Sequence, residues 1–321
     1  MNRPIVFGSL LVAVAASLFG TLGIVSRLAD EEGIGAFAFV FWRGALATTL
    51  LVGVIAGGLA LRRTAFPHPR LVPPRKRALL LVACLAGATL NIAMFVAFLR
   101  TEIAVVLIVF YTFPAMVTLA AVRLYGERLD LIRGGALILA SAGLALVLLG
   151  PALESGRLDI DAIGVGLALL AAVCQAAFIL VSARGFAPFH AIHVGTYVIA
   201  AAAITALPLA LLAGDPAALV QPFVDGAAWP WLLAGGITGA AIPTTLLLTG
   251  MRVIGPSRTA ILMTFEPVVG VALAGLLLAE TPVPLQLAGG AAVLVAAAIL
   301  QAGPREGPRA VPEEGEYQQV V

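Results

Sequence analysis

Two ionisable side chains stand deep inside apolar stretches of this sequence. Arg43 ends the run Phe39-Val40-Phe41-Trp42-Arg43, and Glu266 lies in Met263-Thr264-Phe265-Glu266-Pro267. A charge at the centre of a bilayer costs at least about 2.5–3.5 kcal/mol, so it normally faces a partner or a wet cavity. In a cavity, Arg43 would hold a carboxylate, while Glu266 would bind an ammonium group or take up a proton and couple transport to it. The alternative is an ion pair between the two that fixes helix packing.

Other polar groups occur at similar positions along apolar segments. Asn91, Gln175, Tyr111 and Thr244 can line the same cavity or make interhelical hydrogen bonds. Trp42 and its aromatic neighbours can stack on a cation or ring, or simply fill space. Pro114 and Pro267 lack an N–H, which frees the carbonyls of Phe110 and Met263 and marks a kink or hinge in each helix. A freed carbonyl is tolerated at that depth where neighbours or cavity water satisfy it. Glu127 and Glu280 end apolar helices and directly precede the next ones, whose N-terminal amides want an acceptor. Capping those helices is the structural role expected of both.

These residues belong to a repeat. Thr101–Leu149 returns, altered, as Gly255–Leu300: an apolar helix with an internal proline, a Glu at its end, a short break, then another apolar helix. Pro114/Pro267, Glu127/Glu280 and Asn91/Thr244 all keep one separation of 153 residues (267 − 114, 280 − 127, 244 − 91). A repeat of this size in an apolar chain points to one membrane protein built from two similar halves.

Composition agrees. Of 321 residues, 61% are hydrophobic and 11% charged, where soluble domains carry about a quarter charged; mean hydropathy is +1.07. Spans of about 20 apolar residues are expected near 4–27, 34–61, 78–99, 103–123, 130–150, 162–184, 192–213, 228–250, 256–279 and 284–302. The break between the eighth and ninth, over 250–258, is the least marked. The first span reads as uncleaved, and the Pro-, Gly- and Glu-rich end, 303–321, as a disordered cytoplasmic tail. Five spans per half invert the second half relative to the first. The halves are 1–152 and 153–302, so the expected fold is all-α, with ten transmembrane helices in two inverted five-helix repeats.

Orientation follows from basic residues. If the Arg62–Arg77 loop is cytoplasmic, fifteen of the nineteen Lys and Arg residues share its side with both termini. Arg27, Arg100 and Arg157 lie outside, and Arg43 is within the membrane. By depth along their helices, Arg43 and Glu266 lie about 14 and 20 Å below the outer ends, about one helical turn apart.

Several function classes find no support. There is no nucleophile elbow, zinc-protease motif, P-loop or nucleotide-binding segment, so no enzyme chemistry or ATP-driven pumping is expected. His68, His190 and His193 have no metal-ligand spacing, and Cys84 and Cys174 sit in apolar runs. No cofactor, metal or nucleic-acid partner is expected.

The two copies, FPAMVTLAAVRLYGERL and FEPVVGVALAGLLLAET, with Ser17-Leu18-Phe19-Gly20 and Phe41-Trp42-Arg43-Gly44-Ala45, resemble the drug/metabolite transporter superfamily. The closest form is the bacterial EamA-type exporter. The resemblance covers nearly the whole chain except the tail. It implies an inner-membrane secondary transporter exporting amino acids, related metabolites or drugs, by proton coupling or solute exchange. A nucleotide-sugar or sugar-phosphate antiporter is the alternative within the superfamily. A non-transporting scaffold or intramembrane enzyme is the alternative outside it. The resemblance also implies a central cavity between the halves, with the fifth and tenth spans outside it, where a homodimer contact is possible. The copies differ at Ala279-Glu280-Thr281, which stands where the first half has Gly126-Glu127-Arg128.

Overall fold

Apolar runs of this length can bury their backbone in lipid only by closing every peptide hydrogen bond within the segment, which makes them helices. The computed structural model describes residues 3–60, 73–127, 129–155, 160–184, 189–212, 216–277 and 282–302. The expected tail, Glu280 and most of the Arg62–Arg77 loop lie outside them.

The first span bends between α1 (Arg3–Gly20) and α2 (Leu22–Glu31). α3 (Ala36–Ala60) and α4 (Pro74–Phe98) are the second and third. The fourth is split into α5 (Ile103–Phe110) and α6 (Phe113–Tyr125), and α7 (Leu131–Ser155) is the fifth. The second half begins with α8 (Ala162–Arg184) and α9 (Ala191–Leu212). A short extra helix, α10 (Ala217–Val224), precedes the eighth span, formed by α11 (Trp229–Gly236), a π-helical turn (Ile237–Ala241) and α12 (Ile242–Ile254). The ninth span is split into α13 (Pro256–Met263) and α14 (Phe265–Leu277), and α15 (Pro284–Ala302) is the tenth. Nine of these spans are long and apolar enough to cross a bilayer, and the tenth is a shorter apolar helix. The faint eighth-to-ninth boundary is a single residue, Gly255, at φ +81°. With ten spans, the start of α1 and the end of α15 fall on one side of the bundle, here called the terminal face; the other is the far face.

Packing runs mainly between the halves. The first span lies against the eighth, the second against the seventh, the third against the sixth and the fifth against the tenth. An inverted repeat predicts this set: exchanging the halves swaps the first–eighth and third–sixth contacts and maps the other two onto themselves. Without a hydrophobic force between helices in lipid, close approach relies on small residues. At the α7–α15 crossing, a Cβ added to Gly143 would stand 2.7 Å from the Gly289 carbonyl oxygen, and one added to Gly289 would collide with the Gly143 carbonyl.

Symmetry of sequence is not matched by symmetry of burial. Every residue of α13 is buried, but only Val105 and Val106 of its repeat mate α5. Conversely α6 buries Phe113, Pro114, Val117, Thr118 and Ala121, while its mate α14 buries none. The terminal-face halves of the fourth and ninth spans, α6 and α13, pack together; among the described residues no comparable packing joins α5 and α14. Along this seam the described residues pack together on the terminal face and not on the far face.

On the far face, Asp161 ties the start of α8 to the third-to-fourth-span turn. Its carboxylate accepts from Arg100 Nε and from the Gly164 N–H, both at 2.9 Å. The Arg100 guanidinium first, and the Gly164 amide next, hold this carboxyl below the usual carboxylate range.

Two outcomes follow from this architecture. Gly289→Ala is expected to lower stability by about 1–3 kcal/mol, because the obstructing atoms are backbone. Gly53→Ala, where a Cβ would meet nothing within 4 Å, should not; thermal midpoints in detergent measure both. A carboxyl depressed in the folded state stabilises above its unfolded pKa, and the contribution is lost as pH falls through the folded value. Hydrogen-exchange protection at Gly164 and Val165 should therefore hold at neutral pH and decline below about pH 3.9, a decline that Asp161→Ala removes.

Candidate functional site

Three prolines shape the centre of the bundle. Pro114 and Pro267 follow directly on the breaks at Tyr111–Thr112 and Thr264, which are repeat mates 153 residues apart (264 − 111). The third, Pro243, sits four residues after Gly239 and deprives that carbonyl of its helical donor. The π-helical turn at Ile237–Ala241 occupies this stretch, a distortion that recurs at functional sites.

Arg43 completes this arrangement. From the middle of α3, its Nη1 donates to the freed Gly239 carbonyl at 3.3 Å and its Nη2 to Asn91 Oδ1 at 3.1 Å. Asn91 is held in turn by its Nδ2 donating to the Gly87 carbonyl at 2.8 Å. Arg43 Nε is buried without a hydrogen-bond partner. One guanidinium thus links the second, third and eighth spans and keeps a donor in reserve.

Glu266 sits in the first turn of α14, where the positive end of the helix dipole favours a carboxylate. Tyr111, at the break in the fourth span, lies close enough for its side chain to interact with that of Glu266. The two helix breaks therefore meet through this pair. Gly20 of the first span lies against the same turn: a Cβ there would stand 2.8 Å from the Glu266 carbonyl oxygen. Arg43 and Glu266 are near enough for their charges to interact, yet each is only half-buried, and the described residues include no ion pair between them within 4.0 Å. The hydrogen bonds of Arg43 go to Gly239 and Asn91 rather than to Glu266.

The remaining sequence candidates are distributed differently. Trp42, one residue from Arg43, points about 100° away around the helix. Its indole donates to the Leu219 carbonyl at 3.2 Å and its ring packs edge-on against Phe223 and Trp229. Of its two readings, space filling fits: Trp42 joins a far-face aromatic cluster under α10. Thr244 is buried with its methyl against Gly195. Gln175 is half-buried in α8, and no described hydrogen bond brings it to Arg43 or Glu266.

The capping expectation for Glu127 is corrected too. Asp130 caps α7, accepting from the Arg133 N–H at 2.7 Å. Glu127 instead crosses to the other half and accepts a hydrogen bond from the Ser257 hydroxyl at the start of α13. Asp130 is the residue immediately before Leu131, so N-cap preference alone could have found it. Gly239 was findable from Pro243 in the same way. Nothing local marked Ser257.

No curated protein matches the chain. A solved structure, described only as the crystal structure of a protein, shares the fold: TM-score 0.73 at 22% identity, covering 92% of this chain and 98% of its own. The EamA-like transporter family model matches residues 6–149 and again 162–301. With both repeats matched across most of the sequence, the chain belongs to the EamA-like transporter family.

Proposed function

We propose that this transporter exports small zwitterionic metabolites, amino acids or close relatives, by alternating access at the junction of the two broken helices. The observation that carries the reading is the convergence there of one cation and one carboxylate that do not pair with each other. Arg43, with its spare Nε, would take the substrate carboxylate; Glu266, beside Tyr111, would take the ammonium group or a proton. Asn91 orients the guanidinium. The breaks before Pro114 and Pro267 serve as hinges, because a helix already missing a hydrogen bond bends there at little further cost. The basic residues gathered on the terminal face support placing that face, and both termini, in the cytoplasm of a bacterial inner membrane.

Counterflow in liposomes tests this. With a panel of amino acids and an imposed pH gradient, the wild-type protein should accumulate substrate in proportion to the gradient. Glu266→Gln should keep exchange and lose gradient-driven accumulation; identical behaviour of the two proteins would return Glu266 to a structural role. Arg43→Lys cannot bridge Asn91 and Gly239 with a planar fork. It should raise the KM for carboxylate substrates about tenfold or more, the size of one lost hydrogen bond to a charged group. Flux confined to phosphorylated sugars would favour the antiporter reading instead.

A further inference from the structure

We propose that Glu127 and Ser257 form a one-sided latch that holds the terminal-face gate shut, so that the resting protein stands open to the far face. This rests on the alternating-access reading above. The bond joins the two halves of the molecule, from the end of the fourth span to the start of the ninth. Local backbone geometry is built around it. Gly126, at φ +63°, ends α6 and delivers Glu127; Gly255, at φ +81°, starts α13. A Cβ at Gly255 would stand 3.0 Å from Glu127 Oε1, so the carboxylate rests directly against a residue that has no side chain. On the same face the Tyr125 hydroxyl donates to the Leu180 carbonyl at 2.5 Å, tying the end of α6 to α8. Ser257 itself is 2% exposed.

The repeat shows that the opposite gate lacks these parts. The position matching Ser257 is Ala104 (257 − 153), which has no hydroxyl to donate. The position matching Gly255 is Glu102, and the one matching Gly126 is Ala279. A carboxylate thus stands where the closed gate has a glycine. Two gates related by symmetry but closed by unequal bonds cannot be equally populated. The side with the extra charge-assisted bond stays shut until substrate or a proton repays it. The unequal burial of α13 and α5, and of α6 and α14, is the packing counterpart of that bias.

Spin labels at Leu124→Cys and Arg252→Cys, exposed residues at the terminal-face ends of the fourth and eighth spans, report the gate. They are placed in a Cys84→Ser, Cys174→Ser background in nanodiscs, and the distance distribution is measured by double electron–electron resonance. The parent should show one dominant short distance. Ser257→Ala and Glu127→Ala should each raise the long-distance population roughly tenfold or more, with the double variant no further shifted than either. Ser257→Thr, which keeps the hydroxyl, should resemble the parent. Unchanged distributions in the single variants, or additive shifts in the double, overturn the latch. If the alanine variants do not fold, Glu127→Gln decides: a partial shift supports the proposal and none overturns it. No solute is present in the measurement, so absence of flux in liposomes would sink the transport reading without touching this result.

Discussion

Inside a bilayer a backbone carbonyl without a donor has no water to turn to, and at its centre this chain frees such carbonyls by placing proline at 114, 243 and 267. Most of what distinguishes the centre of the molecule follows from that constraint. The fourth and ninth spans break beside their prolines, and the broken ends bring Tyr111 to Glu266. The eighth span takes a π turn, and its orphan carbonyl at Gly239 recruits Arg43. A side chain that is costly to bury thereby becomes the donor that a distorted helix requires. Neither the distortion nor the charge would be tolerable without the other.

The same logic explains why the two central charges are kept apart. A close pair would neutralise both and leave nothing for a ligand. Arg43 is instead held by neutral acceptors, Gly239 and Asn91, and Glu266 stands in the first turn of α14 beside Tyr111. Both side chains are only half-buried. That arrangement suits recognition of a molecule bearing both signs, and it distributes the contacts over the first, second, third, fourth, eighth and ninth spans. Any relative movement of the halves must alter it.

Inverted repeats make two conformations nearly equivalent, but sequence divergence between the copies decides how nearly. Here the copies differ at the gates. Glycine, glutamate and serine meet at the terminal face, whereas the matching far-face positions hold alanine and a further glutamate. The buried seam of α6 and α13 and the open seam of α5 and α14 are the same motif read in two environments.

Much of this protein was legible in the chain itself. The length of the apolar runs decides that it is a ten-span helical bundle, because lipid leaves a spanning segment no other way to satisfy its backbone. The 153-residue offset shared by Pro114/Pro267 and Glu127/Glu280 exposes the repeat, and five spans per half dictate its inversion. Arg43 and Glu266 stand out because burying charge is expensive wherever the helix lies. Partnership was not legible. One residue along a helix turns a side chain by about 100°, so Trp42 and Arg43, adjacent in sequence, serve a far-face aromatic cluster and the central site respectively. Arg43 meets Gly239 across 196 residues and Glu127 meets Ser257 across 130. Hydropathy and spacing specify how long a helix is and where it bends. Which of its faces meets which neighbour depends on the close approach of small residues in the packed bundle, and only the tertiary structure decides that.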